Sequence, residues 1–241
     1  MAIPHGERCL VKMDKKLLSH YTLFDNQTIL SCNLLAHQGY CNENHIITTD
    51  KNKYLLRKLL RDDIDRQNEY KIHHLAYNEG ITAAPLLYDE VNEIMIFAFL
   101  EGKHKETLDA HELKGLAEVL KKLHNIEYGG SPIPLEIQNH TETITKALTT
   151  IEKYPKEYVL CHNDLNPKNI FFSHDIKFID WEYAGVNDRY FDLACICVEF
   201  SLDEEMQEIF LKAYFSKRYS KEKLESYKII YKTLCEEWFK T

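Results

Sequence analysis

One short stretch of the sequence combines residue types that could carry out group transfer. Residues 161–170 read Cys-His-Asn-Asp-Leu-Asn-Pro-Lys-Asn-Ile, and residues 178–183 read Phe-Ile-Asp-Trp-Glu-Tyr. Phosphoryl transfer from ATP needs a carboxylate that takes the proton of the attacking hydroxyl group, and metal ions that neutralise charge on the β- and γ-phosphates. Asp164 is the candidate base, while Asn169 and Asp180 offer oxygen ligands of the kind that Mg²⁺ prefers. These residue types predict a phosphoryl-transfer site that uses ATP and Mg²⁺.

The spacing of these side chains is more specific than any one of them. Alone, each polar residue is more simply explained as a turn cap or as the end of a strand. Together, with His162 two residues before the candidate base and a predicted hairpin over residues 170–179, they match the His, Asp and Asn order of a kinase catalytic loop. The hairpin can bring Asn169 and Asp180, which flank it, close together at its open end. The pattern therefore favours a phosphotransferase site.

Composition and charge narrow the class of protein. The chain has 241 residues, of which 44% are hydrophobic and 28% are charged, and these values are typical of a globular protein of one large domain or two lobes. Its 38 acidic and 30 basic residues give a net charge of -8, which argues against a nucleic-acid partner and favours a cationic small molecule. The seven cysteines include no Cys-x-x-Cys pair, so we expect free thiols.

The sequence gives no sign of insertion into a membrane. The longest purely apolar run, Ile94 to Leu100, has seven residues, against the roughly 20 that a membrane-spanning helix needs. The N-terminus carries no apolar secretory stretch. We therefore expect a cytoplasmic protein with no membrane partner.

The periodicity of apolar residues divides the chain into two parts, with a hinge predicted near Glu101 and Gly102. Residues 1–100 are predicted to form a β-rich lobe with one helix, and residues 101–241 a mostly helical lobe. The predicted strands of the first lobe are 28–35, 45–49, 54–59, 86–89 and 94–99, and its predicted helix is 63–78. Helical stripes in the second lobe start near residues 109, 141, 206 and 224, and the last of them includes Tyr231. The residues Asp109-Ala-His-Glu112 resemble a capping box, and Gly80 is placed where the helix of the first lobe would stop. The predicted fold class is α+β, with an antiparallel sheet first.

The catalytic segment and the residues after it resemble a known family. Residues 179–185 (Ile-Asp-Trp-Glu-Tyr-Ala-Gly) and 187–194 (Asn-Asp-Arg-Tyr-Phe-Asp-Leu-Ala) are similar to the choline/ethanolamine kinase family, most of all to bacterial choline kinases, within the aminoglycoside phosphotransferase superfamily. The resemblance covers about residues 35–200 and implies a two-lobed, protein-kinase-like fold. It also implies that Asp164 is the catalytic base and that Asn169 and Asp180 bind Mg²⁺. His162 and Asp192 would be structural, with Asp192 bracing the catalytic loop.

The resemblance also implies a set of nucleotide-binding residues in the first lobe. The phosphate-covering loop falls on residues 38–44, including Gly39, Asn42 and Asn44, although its single glycine is fewer than a fully glycine-rich loop has. The phosphate-contacting cation matches Arg57, and strand alternation turns the competing Lys58 to the other face. Glu69 matches the acid that pairs with this cation. The strand that ends at Phe99 and Leu100 matches a wall of the adenine-binding slot.

The residues after the candidate metal ligand argue against a protein kinase. Trp181 and Glu182 replace the Phe-Gly of that class, and no Ala-Pro-Glu motif closes an activation segment. Aromatic and acidic side chains crowd this region instead, and they suit a quaternary ammonium ion, at about 0.5–2 kcal/mol for each cation–π contact. Family position assigns Tyr183 and Glu199 to the substrate pocket. Trp181 and Glu182 are further candidates, and so is Trp238, for which helix packing is the alternative.

The function predicted from the sequence is ATP-dependent phosphorylation of the hydroxyl group of a small amino alcohol, with choline first. Ethanolamine, thiamine and aminoglycosides remain alternative substrates. From a different class, a catalytically silent nucleotide-binding scaffold remains open, although intact Asp164, Asn169 and Asp180 argue against it. The sequence leaves the oligomeric state open.

Overall fold

The computed structural model of the protein describes residues 15–36, 41–216 and 218–238. The chain forms two compact units. The first contains the described residues up to Tyr70 together with Ala83–Leu100, and the second contains Lys71–Thr82 and the described residues from Glu101 onwards. The segment Lys71–Thr82, which the sequence analysis included in the first lobe, groups with the second unit because Ile72, Ala76 and Ile81 pack in the hydrophobic core of that unit.

The first unit is built on an antiparallel sheet of five strands in the order β1-β2-β3-β5-β4. The strands are β1 (Ile29–Leu34), β2 (Asn42–Thr49), β3 (Lys53–Leu59), β4 (Pro85–Asp89) and β5 (Ile94–Ala98). A short helix α1 (Lys15–Leu18) precedes them, and helix α2 (Arg66–Asn78) follows β3. The predicted antiparallel sheet and the predicted helix after its third strand are confirmed, although α2 starts three residues later than predicted. Helix α1 was not predicted.

Strand β3 lies in the middle of the sheet and has apolar contacts on both faces. Leu56 packs with Ile94 and Ile96 in one cluster, whereas Leu59 packs with Met95 and Phe97 in another. Successive side chains of a strand point to opposite faces, so both clusters follow from the alternation within β3 and β5. This arrangement fixes the direction of Arg57, whose guanidinium carbon lies 5.8 Å from the centre of the Phe97 ring.

The second unit is mostly helical and contains two small antiparallel pairs of strands, β6–β9 and β7–β8. Its helices are α3 (Ala110–His124), α4 (Glu142–Ile151), α5 (Tyr190–Glu199), α6 (Glu204–Tyr214) and α7 (Lys221–Trp238). Its strands are β6 (Tyr158–Cys161), β7 (Ile170–Phe172), β8 (Ile176–Phe178) and β9 (Gly185–Asp188). The predicted helical stripes and the predicted hairpin are present.

Three elements of the second unit were not predicted, namely β6, β9 and α5. The two strands are four residues long, and β9 is buried along its whole length, so neither shows an alternating pattern. Helix α5 is buried at its first eight residues, from Tyr190 to Cys197. A helix that is buried all round lacks the one-sided stripe by which amphipathic helices are detected.

The predicted capping box and the predicted glycine at a helix end are both present. The side chain of Asp109 accepts a hydrogen bond from the backbone N–H of Glu112 at 2.8 Å, and the carboxylate of Glu112 accepts one from the backbone N–H of Asp109 at 3.0 Å. This reciprocal pair is the predicted capping box of α3. Gly80, which the sequence analysis placed at the end of a helix, has a φ of +70° that favours glycine.

A buried ion pair connects α7 to strand β9. Nζ of Lys223 lies 2.7 Å from Oδ2 of Asp188, and both side chains are 1% exposed. Lys223 also donates to the backbone carbonyl of Pro155 at 2.9 Å. Breaking a buried pair by removing one partner costs about 3–5 kcal/mol. The contact therefore holds α7 in one position along the second unit.

None of the helices in the described ranges is both long and apolar enough to cross a lipid bilayer.

Candidate active site

The candidate catalytic loop starts where strand β6 ends, and a buried carboxylate holds its first turn. Asp192, in the first turn of α5, accepts hydrogen bonds from the backbone N–H groups of His162 and Asn163, both at 2.8 Å. Asn163 has a φ of +67°, in the left-handed region that asparagine tolerates better than most residues. Two charge-assisted hydrogen bonds to consecutive amides can stabilise such a turn. The side chain of Asp192 is therefore placed as the predicted loop brace requires.

The carboxylate of the candidate base Asp164 is held by two asparagine side chains. Nδ2 of Asn169 donates to Oδ2 of Asp164 at 2.7 Å and to its backbone carbonyl at 2.9 Å. Nδ2 of Asn166 donates to the other carboxylate oxygen, Oδ1, at 2.9 Å. Each oxygen of an ionised carboxylate has about two acceptor sites, so both keep the capacity to accept a further proton donor. The base is thus fixed in direction but still able to accept.

The local sequence explains why Asn169 returns to Asp164. The side chain of Asn166 accepts from the backbone N–H of Lys168 at 2.9 Å and caps a short 3₁₀ turn over Pro167–Asn169. Proline suits the first position of such a turn because its φ is fixed and its missing N–H is not needed there. Leu165 is fully buried and anchors the loop in the core. The predicted spacing of five residues between base and asparagine is therefore realised as a direct contact.

The hairpin β7–β8 brings Asp180 back to the same region. The backbone N–H of Ile179 donates to the carbonyl of Asn169 at 3.0 Å. Nε2 of His162 is 2.9 Å from the carbonyl of Ile179, and because a carbonyl only accepts, this nitrogen carries the proton. Asp180 follows directly and has a φ of +69°. Left-handed backbone at a non-glycine residue costs about 1–3 kcal/mol and is concentrated at functional sites.

The oxygen atoms near Asp164 that could bind a metal ion are of the kind that suits magnesium. Because Asn169 directs its amide nitrogen to Asp164, the oxygen of the same amide points in another direction. Asp180 supplies a carboxylate one residue after the backbone contact to Asn169. An amide oxygen and a carboxylate are hard ligands of the kind that Mg²⁺ binds together with water and phosphate oxygens. The magnesium roles of Asn169 and Asp180 stay predictions that this chemistry supports.

The prediction that Trp181 lines the substrate pocket is wrong. Trp181 is 1% exposed, and its indole N–H donates to the hydroxyl of Thr82 at 3.1 Å. Its ring packs on that of His162 at 4.7 Å between centroids and on that of Phe178 at 6.4 Å. A buried tryptophan needs a partner for its N–H group, and here that partner is protein. Trp181 is a core residue that supports the loop carrying Asp180.

Replacing Trp181 by alanine is expected to lower the free energy of unfolding by about 3–5 kcal/mol, because a large buried side chain is lost. Replacing it by phenylalanine keeps much of the packing and loses the bond to Thr82, which costs about 1 kcal/mol. Urea unfolding measures both changes. In Trp181→Phe the KM for the alcohol substrate should stay within about twofold of the wild type. A tenfold rise in this KM at unchanged stability would restore Trp181 to the pocket.

A carboxylate and a tyrosine that the sequence analysis treated separately form a pair. The hydroxyl of Tyr231 on α7 donates to Oε1 of Glu199, the last residue of α5, at 2.8 Å. Glu199 was predicted to bind the substrate, whereas Tyr231 was read only as part of an apolar helix stripe. Tyr231 also makes an edge-to-face contact with Phe191 at 5.7 Å. The stripe indicated that Tyr231 is buried, but its partner depended on the packing of α5 against α7.

The thiol of Cys235 is hydrogen-bonded to Tyr231 of this pair. Burial raises the pKa of Cys235, a hydrogen bond with Tyr231 lowers it, and the carboxylates of Glu199 and Asp164 raise it. The same two carboxylates raise the pKa of the fully buried Cys195, after the larger effect of burial. Glu199 and Asp164 therefore act on one region of the second unit.

The remaining substrate candidates have different positions. Tyr183 and Glu182 lie in the turn between Asp180 and β9, and both are half-buried. The backbone carbonyl of Tyr183 accepts a hydrogen bond from the side chain of Asn163 at 2.9 Å. Trp238, the last residue of α7, is 42% exposed. It is seven residues after Tyr231 and so lies on the same helix face.

The nucleotide candidates of the first unit include a buried ion pair. NH1 of Arg57 lies 3.0 Å from Oε1 of Glu69, and both residues are buried, as the resemblance implied. NH1 of Arg66, which the sequence analysis did not consider, lies 2.7 Å from Oε2 of Glu69. Its spacing of three residues before Glu69 in a helix was the signal that could have found it. Lys58 instead pairs with the exposed Glu93 at 2.9 Å, so Arg57 is better placed for the predicted role.

The predicted phosphate-covering loop needs correction at two positions. Asn42 and Asn44 lie within strand β2, where Asn42 is opposite Leu59 and Asn44 is opposite Arg57 in β3. The side chain of Asn44 accepts from Nε of Arg57 at 3.4 Å, because opposite residues of a ladder share a face. Gly39 lies outside the described residues.

Phe99 and Leu100 directly follow β5, and Leu100 packs against the cluster of Leu59 and Phe97. Nζ of Lys53 lies 5.7 Å from the centre of the Phe99 ring. Their role in the adenine slot stays a prediction.

Comparison with known proteins shows which proteins this chain is similar to. A family model described as the phosphotransferase enzyme family (APH) matches residues 135–227, the range that contains the catalytic loop and Asp180. Sequence relatives of the chain include Protein LicA of Haemophilus influenzae, which is 25% identical over 205 residues, or 73% of this chain and 60% of that protein. Ethanolamine kinase 1 of Homo sapiens is 26% identical over 199 residues, or 63% of this chain and 44% of that protein.

Solved structures of similar proteins have the same fold. The crystal structure of choline kinase LicA from Streptococcus pneumoniae has a TM-score of 0.77 and 23% sequence identity, over 93% of this chain and 89% of that one. A structure of LicA in complex with AMP has a TM-score of 0.71 and 25% identity, over 93% and 87% of the two chains. The predicted α+β, protein-kinase-like fold and the predicted resemblance to choline/ethanolamine kinases are confirmed. The predicted enzyme class, a phosphotransferase, is confirmed at the level of the family.

Proposed function

We propose that this protein uses ATP to phosphorylate the hydroxyl group of a small amino alcohol, and that choline is its preferred substrate. The observation that carries the proposal is the contact between Asp164 and Asn169, which holds a carboxylate within the sequence pattern of a kinase catalytic loop. The relatives add support, since one similar structure is of a choline kinase and another is of LicA with AMP. A nucleotide-dependent kinase is consistent with both.

Asp164 is the base in this proposal. A substrate hydroxyl group that donates to Asp164 would be oriented by the carboxylate, which then accepts its proton as the oxygen attacks the γ-phosphate. The two asparagine donors, Asn166 and Asn169, keep the carboxylate in one orientation. This orientation supports catalysis because most of the work in phosphoryl transfer is positioning.

The pair of Glu199 and Tyr231 is the proposed site for the cationic end of the substrate. Oε1 of Glu199 accepts from Tyr231, so the carboxylate is held in one orientation. A carboxylate next to aromatic rings suits a quaternary ammonium group, which has no hydrogen to donate. Tyr183 and the exposed Trp238 are further aromatic candidates for this end.

The phosphate groups of ATP are assigned to Arg57, whose position beside Glu69 keeps its guanidinium in one place. Arginine binds phosphate oxygens through a rigid fork of donors. Asn169 and Asp180 are the proposed ligands of Mg²⁺, an ion that neutralises phosphate charge when it is bound. Each of these assignments is independent of the choice of alcohol.

Ethanolamine is the main competitor, because an ethanolamine kinase is among the relatives. Its primary ammonium group needs hydrogen-bond acceptors, and Glu199 offers one. Choline offers only methyl groups and depends on aromatic faces, each worth about 0.5–2 kcal/mol. The aromatic candidates Tyr183, Tyr231 and Trp238 outnumber the single acceptor Glu199, and this supports the choice of choline.

A coupled assay of ADP release decides between the substrates. We expect kcat/KM for choline to exceed that for ethanolamine by at least about tenfold, the equivalent of 1.4 kcal/mol, with thiamine and kanamycin lower still. All four are compared at matched concentrations, and the same reaction without alcohol gives the background of ATP hydrolysis. A tenfold preference for ethanolamine would refute the choice of choline and leave the reaction class intact. Turnover at background with every alcohol would refute the proposed function and favour a nucleotide-binding scaffold.

A further inference from the structure

A cluster of four buried polar side chains from four elements lies behind the catalytic loop. His124 ends α3, Cys161 ends β6, Asp192 is in the first turn of α5, and Tyr214 ends α6. Potential ligand atoms of His124, Cys161 and Asp192 all lie within 4.8 Å of one another, and all three residues are buried. Of the four side chains, only Asp192 has a role in the site described above.

The atoms of the cluster that could bind a metal ion already take part in hydrogen bonds within the protein. This argues against a metal site. Nδ1 of His124 lies 2.6 Å from the hydroxyl of Tyr214, and Nε2 lies 3.0 Å from Oδ2 of Asp192. Burial raises the pKa of Cys161 well above its usual value, and its thiol is within 3.6 Å of the carbonyl of Asn187. A thiol ligand must be deprotonated, and this environment keeps the proton. The cluster is therefore better described as a chain of hydrogen bonds.

The position of each proton in this chain follows from its partners. Both oxygens of Asp192 accept hydrogen bonds from backbone N–H groups. Because an ionised carboxylate has no proton to donate, His124 must be the donor in its contact with Asp192. Nε2 of His124 therefore carries a proton, and in a neutral imidazole Nδ1 is then the acceptor. The hydroxyl of Tyr214 donates to it, since burial raises the pKa of this tyrosine and keeps it neutral. The chain of hydrogen bonds runs from Tyr214 through His124 and Asp192 to the backbone amides of His162 and Asn163.

We propose that His124 is a positioning residue for the catalytic loop, and that Tyr214 fixes the tautomer in which it acts. The proposal rests on the proposed function only for its kinetic part. By donating to Oδ2, His124 fixes the plane of the Asp192 carboxylate, whose two oxygens hold the turn at His162 and Asn163. Asp164 is the next residue along the chain. A base displaced by about 1 Å can lose on the order of 10²-fold in rate, so a rotation of Asp192 would reach the chemistry.

Two substitutions of similar size separate this role from packing. In His124→Gln the side-chain amide can reach the place of Nε2 and keep a donor to Asp192. In His124→Asn the shorter amide can replace only Nδ1, which faces Tyr214, and Asp192 loses its side-chain donor. Both variants remain polar and close to histidine in shape. His111→Leu, an exposed position on the same helix, is the control.

We expect His124→Asn to lower kcat by about 10-fold to 100-fold with both KM values within about twofold of the wild type, and His124→Gln to retain at least tenfold more kcat than His124→Asn. Hydrogen exchange of the backbone amides, followed by NMR, is the second measurement and needs no substrate. The amides of His162 and Asn163 should exchange faster in His124→Asn, while those of helix α3 stay protected. In His124→Gln and in the His111→Leu control they should exchange as in the wild type.

Each alternative result has a definite meaning. Equal kcat and equal exchange in His124→Asn and His124→Gln would overturn the proposal, because size rather than the donor would then matter. Faster exchange throughout the second unit in His124→Asn would also overturn it, in favour of a role in packing. If no alcohol is phosphorylated, the proposed function fails, but selective exchange at His162 and Asn163 still supports the positioning role of His124.

Discussion

Replacing Asp164 by asparagine is expected to lower kcat by about 10²-fold to 10⁴-fold, the range for loss of a positioned general base. The structure adds a second reason for a large effect. Both carboxylate oxygens of Asp164 accept from asparagine side chains, Asn166 at 2.9 Å and Asn169 at 2.7 Å. An amide at this position has one acceptor oxygen only, so its NH₂ group must face one of the two donors. The variant therefore loses the base and also disturbs one of its partners.

The kinetic consequence is measured by ADP release at saturating ATP and choline, with thermal unfolding to verify the fold. Asp175→Asn is the matched control, since Asp175 is an exposed aspartate in the turn between β7 and β8 of the same unit. It should keep the activity of the wild type. Turnover of Asp164→Asn within a few-fold of the wild type would remove Asp164 from the reaction and with it the assignment of the catalytic loop.

Replacing Asp180 by alanine is expected to abolish turnover supported by Mg²⁺. A carboxylate is the strongest magnesium ligand in the proposed pair, and alanine provides no ligand atom. Alanine also has to adopt the left-handed backbone observed at this position, where φ is +69°. That conformation costs about 1–2 kcal/mol for most residues. The alanine variant therefore combines loss of a ligand with local strain.

Asp180→Asn separates these two effects, because asparagine tolerates the left-handed region and keeps one oxygen. Loss of a hydrogen-bond partner of a metal ligand lowers metal affinity by about 10-fold to 100-fold. We expect the half-saturating concentration of Mg²⁺ to rise by more than this in Asp180→Asn, because the ligand itself is changed. Activity is followed as a function of Mg²⁺ concentration at fixed ATP in excess. Normal turnover of both variants at low millimolar Mg²⁺ would show that Asp180 is not a ligand.

The candidate catalytic loop could be predicted from the sequence because its geometry is local. Asn166, Pro167 and Asn169 are within five residues of Asp164, and the short turn that they form returns Asn169 to the carboxylate. The hairpin between Asn169 and Asp180 is similarly local. In such segments the chain length leaves few alternatives. The capping box of α3 and the glycine that ends α2 were predicted for the same reason.

Trp181 shows where local reasoning failed. It stands between Asp180 and Glu182, so its position in the chain suggested the substrate pocket. Its side chain instead donates to Thr82, 99 residues away, and packs on His162. The sequence pattern identified the type of side chain, but it did not say whether the ring would face a pocket or the core.

By itself, the sequence determined the fold class, the resemblance to choline/ethanolamine kinases and the residues of the candidate catalytic loop, since periodicity and short spacings fix which residues are buried and which are close along the chain. Only the tertiary structure decided that Tyr231 pairs with Glu199 and that His124 holds Asp192. Each of these pairs joins two different elements. A helix stripe identifies the buried face of each helix, but its partner depends on how the helices pack together.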